Sequence, residues 1–179
     1  MIFRESRLRG VYELEVERIE DERGFFARSF CRDEFTQHGL ETRIAQSSIS
    51  YSSRMGTLRG MHYQVEPRQE CKLVRCTSGS IHDVVIDLRP GSPTYREHVG
   101  IRLTRENRRM IYVPAGFAHG FITLQDDTEV HYQISEFYSP EHSRGVRWND
   151  PAFGIEWPER VVVISERDRN FPDFEGETG

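Results

Sequence analysis

The chain is predicted to be mostly β, an antiparallel sandwich or barrel with a few short helices and no long one. Three observations lead to that class. Between Leu58 and Ile134, runs rich in β-branched and aromatic residues recur roughly every 10 residues. The gaps between them hold Gly, Pro, Asp and Asn, which set the backbone angles of turns. The same region contains no apolar pattern of helical period lasting three turns.

Taken in order, Val11 to Ile19 alternates, with Val11, Leu14 and Val16 apolar among glutamates, and Gly24 then breaks the chain before Phe25-Phe26. Asp33 to His38 reads as a brief helix closed by Gly39 in the left-handed conformation that suits glycine. The predicted strands then are Leu58–Gln64, Lys72–Thr77, Ile81–Leu88, Val99–Leu103, Met110–Val113, Gly120–Leu124 and Glu129–Ile134. Turn chemistry separates them, for example Arg89-Pro90-Gly91-Ser92-Pro93 and Pro114-Ala115-Gly116.

Composition narrows the function classes. With 179 residues, 11 Phe, 7 Tyr and 2 Trp, there is enough chain and enough aromatic area for one stable core, which excludes a disordered protein. We expect one domain over residues 1–171 and a frayed acidic tail over 172–179. A net charge of −5 argues against non-specific nucleic-acid binding, which needs a basic face. The longest aliphatic run, Val161 to Ile164, is too short to cross a bilayer. Arg4, Glu5, Arg7 and Arg9 are followed by no apolar stretch, so no secretory signal is expected. Three cysteines, Cys31, Cys71 and Cys76, cannot close a disulfide framework and suit a reducing cytoplasm.

Strand parity is informative, because alternate side chains share a face. Val84, Ile86 and Leu88 form a plausible packed face opposite Asp83, Val85 and Asp87. Lys72 shares a face with Val74 and Cys76, and Tyr132 shares one with Val130 and Ile134. Polar groups therefore point into an otherwise apolar interior, as in a barrel that holds a ligand. Lys72 is also the one lysine beside 23 arginines, a compact point charge that a planar guanidinium cannot imitate. Arg59 and His62 fall on opposite faces unless Gly60 makes a bulge.

Several chemistries lack their motifs: there is no dinucleotide-binding glycine fingerprint, no phosphate-binding P-loop and no serine or cysteine nucleophile context. Pro114 to Gly120 resembles the second cupin motif, in which a tight turn presents a histidine, here His119, on a barrel wall. The first cupin motif normally carries two histidines, and its equivalent here reads His62-Tyr63-Gln64. His62 and His119, with Glu70 only at generous spacing, make a poor ligand set for a first-row metal, so no metal is expected.

The stretch Gly56-Thr57-Leu58-Arg59-Gly60-Met61-His62-Tyr63-Gln64 is followed by Lys72-Leu73-Val74-Arg75, Asp83 to Arg89 and Gly116 to Phe121. With these the chain resembles the dTDP-4-dehydrorhamnose 3,5-epimerase family, nucleotide-sugar epimerases with a cupin-type jelly roll. The likeness runs from Asp21-Glu22-Arg23-Gly24-Phe25-Phe26 to Arg144-Gly145-Val146-Arg147-Trp148-Asn149-Asp150-Pro151 and on to Asp168. It implies an isomerase without a cofactor, acting on a 4-keto-6-deoxyhexose carried by a nucleoside diphosphate and paired as a homodimer through N-terminal strands. By resemblance His62 is the base, Asp168 its carboxylate partner, Lys72 the oxyanion stabiliser and Tyr132 the acid, with Tyr138 ranked behind it. Arg59 and His119 belong to the phosphate side, Arg23 and Phe26 to the nucleotide, and Asp83 to the inner network.

The chain departs from the family pattern at Arg28, where the rhamnose-pathway enzymes carry Glu, and at Gln46-Ser47-Ser48, where they carry Gln-Asp-Asn. One residue is added between Gln46 and Gly56, Gln133 replaces a common Lys, and Ser143 replaces an acidic residue. Arg28, Gln46, Ser47 and Ser48 are accordingly expected near the substrate. The departures leave open the nucleobase (thymidine, cytidine or guanosine) and whether one centre or both are inverted. A single-centre epimerase, a ketoisomerase, a non-catalytic sugar-nucleotide-binding cupin and a metal-dependent dioxygenase are the rival readings.

Overall fold

The computed structural model describes residues 1–175 of the chain; positions 176–179, the end of the expected acidic tail, lie outside the described residues. The elements in order are β1 (Ile2–Glu5), β2 (Tyr12–Glu15), β3 (Arg18–Asp21), β4 (Gly24–Ala27), α1 (Arg32–Gln37), β5 (Gln46–Ser52), β6 (Thr57–Gln64) and β7 (Lys72–Ser78). There follow β8 (Ser80–Asp87), β9 (His98–Thr104), β10 (Met110–Val113), β11 (Phe117–Thr123), β12 (Thr128–Ile134), β13 (Ser143–Gly145), β14 (Val163–Ile164) and α2 (Glu166–Arg169). All seven strands predicted between Leu58 and Ile134 are present with small changes at their ends. The brief helix is present too, and Gly39 after it has φ +70°.

The strands form two facing sheets. One has the order β1-β2-β10-β7-β12-β5; the other has the order β13-β6-β11-β8-β9, with β14 added beside β6. Pairing is antiparallel except between β14 and β6. Strands from distant parts of the chain thus lie side by side, the cupin-type jelly roll expected of the sequence. The run from Val11 to Ile19, read as one alternating stretch, is two strands: β2 joins the first sheet, while β3 pairs with β4 as a separate hairpin.

Val74, Cys76, Ile81, Val85, Leu103, Phe117, Phe121 and Val130 fill one end of the space between the sheets. Outside the first sheet, Phe35 of α1 packs with Leu14, Leu73, Met110 and Tyr112. Outside the second, Met61, Val84, Ile86 and Ala118 are covered by Val146, Phe153 and partly buried Trp157 and Phe174. This cover corrects the reading of β8 as having one packed face. Both its faces are buried, and it is the face of Ile81, Asp83 and Val85 that points between the sheets. At the start of the expected tail, the Phe174 ring packs against Phe153 and its N–H donates to Asp150.

Gly60 makes the expected bulge. Arg59 stands opposite Phe121 and His62 opposite His119, so Gly60 and Met61 together face the single residue Gly120. Gly60 has φ +146°, and a Cβ there would lie 2.6 Å from the Gly120 Cα. The extra residue returns Arg59 and His62 to the same side of the strand. Among the described residues, no helix is long and apolar enough to cross a membrane.

Candidate active site

At the end of the sandwich away from the apolar cluster, the two sheets enclose a pocket of about 280 Å³. The second sheet supplies Arg59, His62 and Gln64 from β6 and His119 from β11. The first supplies Lys72 from β7, Tyr132 and Ile134 from β12, and Gln46, Ser48 and Ser50 from β5. Tyr138 and Arg167 stand at its rim. The parity reading of Lys72 and Tyr132 as inward-facing therefore holds.

Two imidazoles share the second-sheet wall, and each is held by its own carboxylate. His62 Nε2 lies 2.7 Å from Asp168 Oδ1, and His119 Nε2 lies 2.8 Å from Asp83 Oδ2. Carboxylates only accept, so both Nε2 atoms carry hydrogen and Nδ1 is left as the basic nitrogen. Asp168 sits in α2, where Ser165 at the N-cap accepts from the Asp168 N–H at 3.1 Å. Its other oxygen accepts from the Gly60 N–H at 3.2 Å. Burial alone would raise the Asp168 pKa. The bond and charge of His62 and the Gly60 N–H outweigh it and hold this carboxyl below its usual value. Asp83 is fully buried, and its Oδ1 has no hydrogen-bond partner.

On the facing sheet, Tyr132 has its ring 6.1 Å from that of His119 and nearly perpendicular to it. Burial pushes the Tyr132 phenol upward, the Asp83 charge adds to this and Arg59 opposes it. The group is therefore a neutral proton donor at neutral pH. Lys72 Nζ pairs with Glu70 Oε1 at 2.9 Å and donates to the His62 carbonyl at 3.3 Å. Arg59 is held by Ser52 Oγ at 3.2 Å and the Tyr51 carbonyl at 2.8 Å. An imidazole, a phenol from the opposite wall, an ammonium and a guanidinium converge on one cavity, an arrangement that suits proton abstraction beside a carbonyl. Among the described residues, no three His, Cys, Asp or Glu side chains are grouped so as to hold a metal ion.

Of the residues singled out from sequence, Gln46, Ser48, Arg59, His62, Lys72, His119, Tyr132 and Tyr138 line the pocket. Asp83 and Asp168 stand behind the two histidines. Four do not join them. Ser47 lies on the other face of β5, where Oγ meets His131 Nε2 at 2.9 Å. Arg28 pairs with Glu34 at 2.7 Å. Arg23 follows β3, and Phe26, in β4, is 72% exposed, on a hairpin whose Phe25 ring packs with the guanidinium groups of Arg18 and Arg108. Sequence reasoning missed Arg167, which donates to Ser143 Oγ at 2.8 Å. Its position directly before Asp168 in the chain is the available signal. It also gave Glu70 no role beyond a doubtful metal ligand.

The profile of the dTDP-4-dehydrorhamnose 3,5-epimerase family matches residues 5–176. A dTDP-4-dehydrorhamnose 3,5-epimerase from Sinorhizobium fredii is 42% identical over 97% of this chain and 90% of its own length. The crystal structure of a dTDP-4-dehydrorhamnose 3,5-epimerase from Bacillus anthracis, with TDP and PPi bound, superposes with a TM-score of 0.92 at 38% identity, covering 96% of this chain and 98% of that one. A 3'-monoepimerase from Streptomyces bikiniensis in complex with dTDP-quinovose gives a TM-score of 0.87 at 32% identity, covering 94% and 85%. On sequence profile, identity and fold together, the chain belongs to the dTDP-4-dehydrorhamnose 3,5-epimerase family.

Proposed function

We propose that the protein epimerises C3 and C5 of dTDP-4-dehydro-6-deoxyglucose to give dTDP-4-dehydrorhamnose. The observation that carries this reading is the opposition of His62, backed by Asp168, and Tyr132 across one cavity. The 4-ketone acidifies the hydrogens on both neighbouring carbons. His62 Nδ1 takes such a proton, and the electron pair moves onto the ketone oxygen as an enolate. The Lys72 ammonium meets that developing charge. Tyr132 returns a proton to the carbon from the opposite face, which inverts the centre.

Arg59 and the rim residue Arg167 give the cavity the positive potential that a diphosphate needs in a chain of net charge −5. Gln46, Ser48 and Tyr138 are read as contacts to the nucleotide half. Arg23, Phe26 and Arg28 are remote from this pocket within one chain, and we assign them to the pocket of a second copy in a homodimer. The unpaired cysteines fit a cytoplasmic protein.

The test is solvent exchange in D2O with dTDP, CDP and GDP 4-keto-6-deoxy sugars side by side. Deuterium at both C3 and C5 of the dTDP sugar is expected. Label at C3 alone would reassign the protein to the single-centre chemistry of its 3'-monoepimerase relative. No label with any nucleotide would remove the catalytic claim.

A further inference from the structure

We infer that Glu70 is a positioning residue of this site, fixing the Lys72 ammonium so that its third N–H is aimed at the ketone oxygen. The inference rests on the reaction proposed above. An ammonium carries three donors and no acceptor. Two of those of Lys72 are engaged within the protein, by Glu70 Oε1 at 2.9 Å and by the His62 carbonyl at 3.3 Å, which leaves one for substrate. The two tethers come from different places: Glu70 precedes β7 in the first sheet, and His62 belongs to β6 in the second. Together they hold a long, flexible side chain at one point between the sheets, beside the base's own backbone.

Charge argues the same way. Among the described residues, Glu70 is the one carboxylate that lines the pocket. A carboxylate there opposes the binding of an anionic nucleotide sugar, so recognition of the substrate does not explain it. The Glu70 and Lys72 side chains are 11% and 9% exposed, and a cation so nearly buried needs a counter-charge. Glu136, two residues beyond β12, is occupied by Arg43 and Arg68.

The experiment compares wild type, Glu70→Gln, Lys72→Met and the double variant by deuterium exchange, reading kcat and KM separately, with thermal unfolding as the check on folding. Glu70→Gln should lower kcat by about 10-fold or more, the scale of a misplaced reacting group. KM should be unchanged or lower, since a negative charge has left an anion site. In the Lys72→Met background the same change should cost nothing further. Should Glu70→Gln fail to fold, Glu70→Asp replaces it, with kcat expected between wild type and Lys72→Met and KM unchanged. An unchanged kcat, a loss carried by KM, or an equal loss with Lys72 removed would each overturn the inference while leaving the reaction intact. Wild type without exchange would overturn the reaction itself, and this inference with it.

Discussion

His62 and His119 stand directly opposite each other in the register of β6 and β11, yet their Nε2 atoms point to different carboxylates, Asp168 from α2 and Asp83 from β8. Neighbouring imidazoles with separate partners are fixed independently.

For the base, we expect His62→Asn to lower deuterium exchange at C3 and C5 by about 10²–10⁴-fold, the usual contribution of a general base. Binding of dTDP, measured by calorimetry, should persist. Loss of binding equal to the loss of exchange would contradict the role.

For the acid, Tyr132→Phe should still permit exchange at the carbon that His62 addresses, because abstraction does not need the phenol. Inversion should fail. The check is NMR of the product sugar, and an inverted product at wild-type rate would remove Tyr132 from the mechanism.

The close approach of β6 and β11 gives a third expectation. A Cβ at residue 120 would lie 2.6 Å from Met61 Sδ and 2.7 Å from the Arg59 carbonyl. Gly120→Ala should therefore destabilise the fold by roughly 1–3 kcal/mol, as overpacking of a tight interior does. It should also reduce turnover, because Arg59 and His62 flank the displaced segment. Urea denaturation and the exchange assay check the two effects.

Asp87 sets an acid limit on stability. Burial opposes its ionisation, but bonds from Arg89, Ser92 and Thr94 hold its carboxyl down to about 2, against 3.8 as the ordinary value. A depressed carboxylate stabilises the fold fully above its unfolded value, and that contribution is lost as pH falls from about 4 toward 2. Asp87→Asn should cost on the order of 2 kcal/mol at neutral pH. The difference from wild type should shrink toward pH 2 in thermal melts, with exchange activity at pH 7 unchanged.

The inward set was legible because extended strands alternate. Lys72 and Tyr132 could be assigned to the interior from their neighbours, and the Gly60 bulge followed from the conflict between Arg59 and His62. Parity failed where it has no purchase. Glu70 precedes its strand, so alternation could not show that it faces Lys72. In β8 both faces are buried, because a distant segment carrying Phe153 and Trp157 covers the outer one. Ser47 was grouped with its neighbours Gln46 and Ser48, although adjacent strand residues point to opposite sides. The remote position of Arg23 and Phe26 depends on β3 leaving the first sheet after β2, and nothing between Glu15 and Arg18 announces that departure.

Because Lys72 is the one lysine in the sequence, lysine-directed chemistry has a single address, in the wall of the cavity. The N-terminal ammonium is clasped by Glu17 and Glu34 on another part of the surface. The mass of the fragment spanning residues 69–75 thus reports whether Lys72 was acylated, and so whether the cavity was occupied when the reagent arrived.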